Sequence, residues 1–314
     1  MSLFVQKPGI LTTIQDGGRT GSRSLGINPS GVMDRTATAL INLLLGNDEN
    51  EAVIEMHFPA GEFVFDVDCS FAIGGADLGA VLNGIEIANW SSAIARRADR
   101  LRFTNRQNGA RAYLAVAGGF SVPEWLGSKS TNIAVNAGGI GGRRLQAGDR
   151  IGFLDPITCK TRRLGPSMIP KYNRFPTVRV IAGAEFEELT ALSEMTFLNE
   201  GFKVTNDSNR MGFRLSGGPL SLLGDKEMIS AVVTFGTIQL LPDGQLIVLM
   251  ADHQTAGGYP RIANVISADL PLVAQLGPGD GIGFRLVSID EAESLLARRE
   301  EDIRYLKVGI SLNV

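Results

Sequence analysis

The residues best suited to chemistry stand in one run, Asp252, His253, Gln254 and Thr255, closed by Gly257, Gly258, Tyr259 and Pro260. A carboxylate, an imidazole, an amide and a hydroxyl in succession can hold and polarise a small polar molecule, with the carboxylate as acid or base. The apolar residues Leu246 to Met250 come directly before them and read as a strand. A strand that delivers such a set has the form of a site carried on a rigid scaffold. Gly257 and Gly258 allow backbone conformations closed to other residues and let a ligand approach the main chain. The same residue types also build ordinary surface turns, so this run by itself leaves both readings open.

Other polar clusters offer compatible chemistry. Gln15, Asp16 and Arg19 precede a loop containing Asn28, Ser30 and Asp34, and a helix pattern begins there. Asp34 or Ser30 caps that helix, or the helix start receives an anion or polarised carbonyl. Asp16 and Arg19 also suit a buried ion pair. Gly127 to Thr131, with Lys129 and Ser130, superficially suggests a phosphate loop, but the spacing departs from G-x-x-x-x-G-K-[ST]. Arg210, amid Asn206 to Arg214, can clamp a carboxylate or phosphate through two parallel bonds, or serve as a surface arginine beside a turn. Gln239 stands at the end of another strand.

What is missing narrows the chemistry. No G-x-S-x-G nucleophile motif is present, and the two histidines, His57 and His253, make a triad improbable. They cannot make a zinc site alone, so no metal is expected. Cys69 and Cys159 are no disulfide framework and are expected to be reduced thiols. A net charge of −3 argues against nucleic-acid binding. The basic run Arg96 to Arg102 reads as the solvated face of a strand. No apolar run is long enough for a membrane helix, and a soluble, cytoplasmic protein without a membrane partner is expected.

The elements that must position these residues are mostly strands. Glu62 to Val67, Ser70 to Ile73, Arg111 to Val116, Thr177 to Ile181 and Phe235 to Leu240 are strand candidates divided by Gly and Asp turns. The 38 glycines suit barrels with tight corners. Helices are expected over Asp34 to Leu45, over a stripe of Phe186, Leu189, Leu192 and Met195 read as core packing, and over Asp290 to Tyr305. The pattern L-x-x-G-D-x-I-G-F occurs twice, at Leu145 to Phe153 and Leu276 to Phe284. This recurrence predicts two related β units: a first half over 1–155, a linker over 156–176 and a second half with a C-terminal helix over 177–314.

Taken in order, several segments resemble the biotin-dependent carboxyltransferase-like family. It includes the KipI antagonist, the C-type subunit of bacterial 5-oxoprolinase and the allophanate-hydrolase-subunit-2-like domain of urea amidolyase. The segments are Ile14 to Arg19, Pro29 to Asp34, Gly127 to Thr131, Gly141 to Leu145, Ser208 to Leu215, Gly236 to Gln239 and Asp252 to Pro260. Asn209 and Phe213 stand where the family has an acid and a tyrosine. Glu55 leads into His57 to Gly61, where the family has Glu followed by Gly-Pro a few residues on.

The resemblance implies a mainly β fold of two cyclophilin-like β-barrel units with a few peripheral helices. It implies ATP-dependent opening of 5-oxoproline to glutamate, with this chain as a C-type subunit. The implied partners are a KipI-like B-type subunit and a LamB/YcsF-like A-type subunit, with a small amide or lactam as substrate. ATP is the implied cofactor, on a subunit the sequence does not identify. Biotin is not expected on this chain, which has no Met-Lys-Met-like attachment site. On this reading Gln15, Asp16, Arg19 and Asp34 line one side of the site. Arg210, Gln239, Asp252, Gln254, Thr255 and Tyr259 line the other. Arg210 is assigned to the substrate carboxylate, and Asp34 or Asp252 to acid–base work. The alternatives are a carboxyltransferase component that moves a carboxyl group from carboxybiotin to urea or a related amide, and a regulatory module that binds a KipI-like kinase inhibitor.

Overall fold

A computed structural model describes residues 1–224 and 228–312. The fold is mainly β with four α-helices among the described residues: α1 (Arg35–Leu45), α2 (Ala191–Asn199), α3 (Leu270–Ala274) and α4 (Ile289–Leu312). The chain divides into two compact units. The first comprises Met1–Thr20, Ser30–Lys171 and Glu301–Val314; the second comprises Gly21–Pro29 and Tyr172–Glu300.

The first unit has a seven-stranded and a five-stranded sheet that share one core. In the first sheet Ser2–Lys7 lies between Arg150–Phe153 and Glu62–Phe65. In the second the order is Thr12–Gln15, Val53–His57, Asn108–Val116, Cys69–Asp77 and Ser91–Ala95, antiparallel throughout. Period-two alternation sends Leu3, Val5, Phe63 and Phe65 inward from one sheet, and Ile54, Met56, Phe71, Ile73, Leu114 and Val116 inward from the other. The opposite face of the five-stranded sheet is covered by α1, which explains why Cys69–Asp77 is buried on both sides. Gly74 permits that approach, because a Cβ there would stand 2.5 Å from Ile41 Cγ2. Burial pushes the Cys69 thiol up to about 12.

The second unit is a closed barrel in the order Thr177–Ala182, Arg261–Val265, Thr237–Leu240, Leu246–Leu249, Gly212–Ser216, Phe202–Val204 and Gly281–Leu286. Parallel pairing of Thr177–Ala182 with Gly281–Leu286 closes it. Phe197 on α2 stacks on Phe284, with centroids 4.7 Å apart and planes at 11°. A short ribbon pairs Ala231–Val232 with Ala256–Gly257.

The helix expected from Phe186, Leu189, Leu192 and Met195 differs in register. Phe186–Glu188 is a 3-10 turn, and α2 starts afresh after Thr190, whose hydroxyl accepts from Ser193 N. The restart puts Ser193 and Phe197 inside and leaves Leu192 and Met195 74% and 63% exposed. Continuous helical spacing from Phe186 is therefore the wrong ruler. The stretch 156–171, read as part of a linker, belongs to the first unit and lies along Ser91–Ala95, with Ser92 N donating to Arg162 O at 2.8 Å.

The two L-x-x-G-D-x-I-G-F segments adopt one geometry in both units. Asp149 N donates to Gln146 O and Asp280 N to Gly277 O, closing four-residue turns. Each turn has glycine at its third position, Gly148 at φ +95° and Gly279 at φ +85°, where a Cβ would be strained. The Asp149 and Asp280 carboxylates accept from Gln146 N and Gly277 N at 2.7 and 2.9 Å. Val5 and Val204 exchange backbone bonds with the two turns in the same pattern. Each aspartate also pairs with an arginine, Arg143 in one case and Arg174 in the other.

Candidate functional site

In the first unit, Thr12–Gln15 delivers Gln15 and then Asp16 to a loop. Asp16 Oδ1 accepts from Gly18 N, Ser128 Oγ and Ser130 Oγ, and its Oδ2 from Lys129 N, all between 2.5 and 2.8 Å. One carboxylate thus organises the whole 128–130 turn. Arg19 is buried, donates to Ser130 O and lies 4.7 Å over the Trp125 ring. Lys129 Nζ meets Glu51 at 2.6 Å. The donors of this segment are therefore committed to Asp16 and Glu51, an arrangement unlike a phosphate cradle. A cavity of about 440 Å³ borders Asp16, Gly18, Asn50, Glu51, Glu124 and Lys129. Gln15 is buried, its amide N–H groups donating to Thr131 O and Thr13 Oγ1, while its Oε1 has no partner among the described residues.

Asp34 lies in a second cluster of that unit. It is fully buried and caps α1, accepting from Ala37 N at 2.9 Å. Its own N–H donates to Tyr113 Oη, and Met33 N donates to Glu55 Oε2. Strand register aligns Thr13, Glu55, Tyr113 and Gly74 in one row across the sheet. Burial first, then the Glu55 and Asp34 carboxylates, holds the Tyr113 phenol well above its ordinary range. Glu55 and Tyr113 were missed as site candidates by sequence reasoning. The available signal was a glutamate inside the otherwise apolar strand Val53–His57.

The second unit brings together most of the remaining candidates. Arg210 donates through Nε and Nη2 to the two oxygens of Asp252, at 2.8 and 3.1 Å, in a buried two-bond fork. Asp252 N donates to Arg210 O, tying the same two residues through the backbone. Asn28 Nδ2 donates to Asp252 O, and Arg23 donates to Val233 O, so segment 21–29 contributes to this cluster. Sequence spacing did not signal either contact. His253 Nδ1 donates to Gln254 O, and burial holds its imidazole below the ordinary histidine value. Gln239 is fully buried on Thr237–Leu240, and its Nε2 donates to Tyr259 O at 3.2 Å. Gly257 lies against Gln239 and Gln254, whose amide nitrogens are 2.8 and 3.3 Å from where its Cβ would be. Thr255 accepts from Val233 N through its backbone oxygen. The Tyr259 side chain is exposed and borders a separate cavity of about 530 Å³ with Leu220, Leu222, Leu241 and Pro260.

The departures at 209 and 213 have structural explanations. Asn209 Oδ1 accepts from Met211 N at 2.7 Å, a turn role that Asp fills equally well. Phe213 is buried on the strand Gly212–Ser216, where alternation places it with Leu215.

Residues 25–286 match the model of the carboxyltransferase domain, subdomain A and B. The chain belongs to this carboxyltransferase family. Within the family it is similar to the C-type subunit of 5-oxoprolinase from Escherichia coli, with 37% identity over 97% of this chain and 96% of that one. It is also 37% identical to the corresponding 5-oxoprolinase chain of Haemophilus influenzae, over 92% of each chain. Among solved structures of the family, the Kluyveromyces lactis urea carboxylase superposes with a TM-score of 0.92 at 29% identity. That match covers 97% of this chain but 29% of the larger enzyme. No helix among the described residues is long and apolar enough to cross a membrane.

Proposed function

We propose that this chain is the C-type subunit of a heteromeric, cytoplasmic 5-oxoprolinase that opens 5-oxo-L-proline to L-glutamate with ATP. The observation that carries this reading is 37% identity, over nearly the full length of both chains, to the C-type chain of a bacterial 5-oxoprolinase. The complex would contain a KipI-like B-type subunit and a LamB/YcsF-like A-type subunit. ATP would bind on a partner: Ser128, Lys129 and Ser130 already donate to Asp16 and Glu51, and Thr131 donates to Ile14 O. ATP would supply a phosphoryl group to the lactam oxygen, activating the ring carbonyl carbon for attack by water. The ring C–N bond would then break with the nitrogen leaving as the amine, and a second water would release phosphate from the resulting acyl phosphate.

The residues of this chain then bind and position the ring. Gln15, Asp16 and Arg19 would act mainly by shaping the 128–130 turn. Arg210 has a two-bond partner of the same kind as a substrate carboxylate, namely Asp252. An arriving carboxylate would exchange with Asp252 on the guanidinium fork and release Asp252 to take a proton from the attacking water. Asp34 is the second candidate for acid–base work. Gln239, Gln254, Thr255 and Tyr259 would hold the ring and its polar groups.

The experiment is a comparison of Asp252→Asn and Asp34→Asn in the assembled complex. Asparagine keeps the capping ability of position 34 but cannot serve as a base. The reading expects loss of turnover at Asp252→Asn and little change at Asp34→Asn; the reverse pattern moves the base to Asp34. The urea carboxylase superposition favours a second reading, carboxyl transfer from a biotinylated partner to urea or a related amide. Urea-dependent discharge of carboxybiotin in the presence of this chain would support it.

A further inference from the structure

Gln239 carries a buried polar atom that the fold leaves unanswered. The residue is 0% exposed, and its Oε1 has no hydrogen-bond partner among the described residues. Its orientation is fixed by chemistry: Tyr259 O can only accept, so the group facing it must be the amide NH₂. The oxygen is therefore the end that points away from that bond. Thr237, on the same face of the same strand, is by contrast fully engaged by Asn264 Oδ1 at 2.8 Å and by Thr234. An unanswered buried acceptor costs stability, and its presence beside a satisfied neighbour calls for a missing donor.

The surroundings indicate where the donor belongs. Gly257 brings the main chain against the Gln239 and Gln254 amides, whose nitrogens are 2.8 and 3.3 Å from where its Cβ would be. Asp252, the partner of Arg210 in the two-bond fork, opens the segment that leads into this turn. A carboxylate-binding cation paired to this segment through Asp252 and an N–H acceptor packed against it at Gly257 match a ring bearing a carboxylate and an acylated nitrogen.

We infer that Gln239 Oε1 accepts the N–H of the substrate's acyl nitrogen and makes the site select a lactam over the corresponding lactone. The inference rests on the substrate reading above for the identity of the ring. Its chemical content is the demand for an N–H donor. A lactone presents a ring oxygen there, and two acceptors facing each other in a buried site repel, so selection has a repulsive element as well as an attractive one.

The test is calorimetric titration of the assembled complex with 5-oxo-L-proline and with 5-oxotetrahydrofuran-2-carboxylate, for the wild type and Gln239→Met. Methionine keeps the length of the side chain and removes the acceptor. The wild type is expected to prefer the lactam by about 100-fold or more, as sites built around a substrate N–H do. In Gln239→Met the preference should fall to within about threefold, since nothing then distinguishes the two rings at that point. A merely structural role would weaken both ligands together and leave their ratio unchanged. Equal affinity of the wild type for the two rings, as a buried water on Gln239 would give, overturns the inference and requires no variant. Preference that survives in Gln239→Met overturns it as well. If neither ring binds and no glutamate is released, the substrate reading has failed. Urea against tetramethylurea then decides the N–H demand, and absence of any Gln239-dependent preference there overturns it.

Discussion

Asp16 in the first unit and Asp252 in the second both follow the end of a largely buried strand, yet their partners differ in kind. Asp16 is held by two hydroxyls and two backbone N–H groups of its own fold. Those donors are neutral, short and anchored, so the carboxylate has become part of the architecture. Asp252 accepts a charged guanidinium fork from Arg210. A guanidinium fork also suits a ligand carboxylate, and the role proposed for Asp252 is exchange with one. On the proposed reading, a shared residue type divides into a structural and an exchangeable role according to what surrounds it.

The largest effect that would sharpen this contrast is expected at Asp252→Asn. Turnover of the complex should fall about 10²–10⁴-fold, the usual contribution of a positioned base, with the complex still assembled. Asp34→Asn should stay within about threefold, since asparagine caps as well as aspartate. Arg210→Ala should lower kcat/KM for 5-oxoproline about 10²–10³-fold, mostly through KM, because a charge-paired binding group is lost. Unchanged kinetics in a working complex would remove Arg210 from substrate binding.

Asp16→Ala should act on stability instead. Four donors lose one acceptor, and unfolding free energy should drop by about 2–4 kcal/mol, read from denaturant midpoints at unchanged slope. An Asp16→Ala protein of normal stability but no activity would erase the contrast with Asp252.

These effects should be accompanied by a smaller one that depends on pH. The Arg143 hydrogen bonds hold the Asp149 carboxyl below the ordinary aspartate value of about 3.9. Its contribution is therefore fully present above that value and is lost as pH falls through the lower folded value. The stability gap between wild type and Asp149→Asn should be at most about 1 kcal/mol at neutral pH, because Arg143 is partly exposed, and should close in acid. A gap that persists at low pH would assign the role of Asp149 to turn geometry alone.

Much of this was legible in the sequence because it rests on local rules. Asp34 and Gly46 bracket α1 as its cap residues, and the two Gly-Asp turns share a geometry set by residues adjacent in the chain. Strand candidates such as Arg111 to Val116 and Thr177 to Ile181 fall within observed strands because alternation and β-branching are local signals. The register of α2 was not legible, since the break at Thr190 depends on a side-chain cap that helical spacing cannot reveal. Nor were the pairing of Arg210 with Asp252, the row of Glu55 and Tyr113, or the contribution of Arg23 and Asn28. Those contacts join residues 42 to more than 200 positions apart and exist only once the sheets are assembled.

The most direct test is glutamate release from 5-oxo-L-proline and ATP by this chain together with its KipI-like and LamB/YcsF-like partners, measured with and without the chain. The account predicts release that requires the chain and disappears with Asp252→Asn. A stable complex that forms no glutamate, or release that continues when the chain is left out, would contradict it.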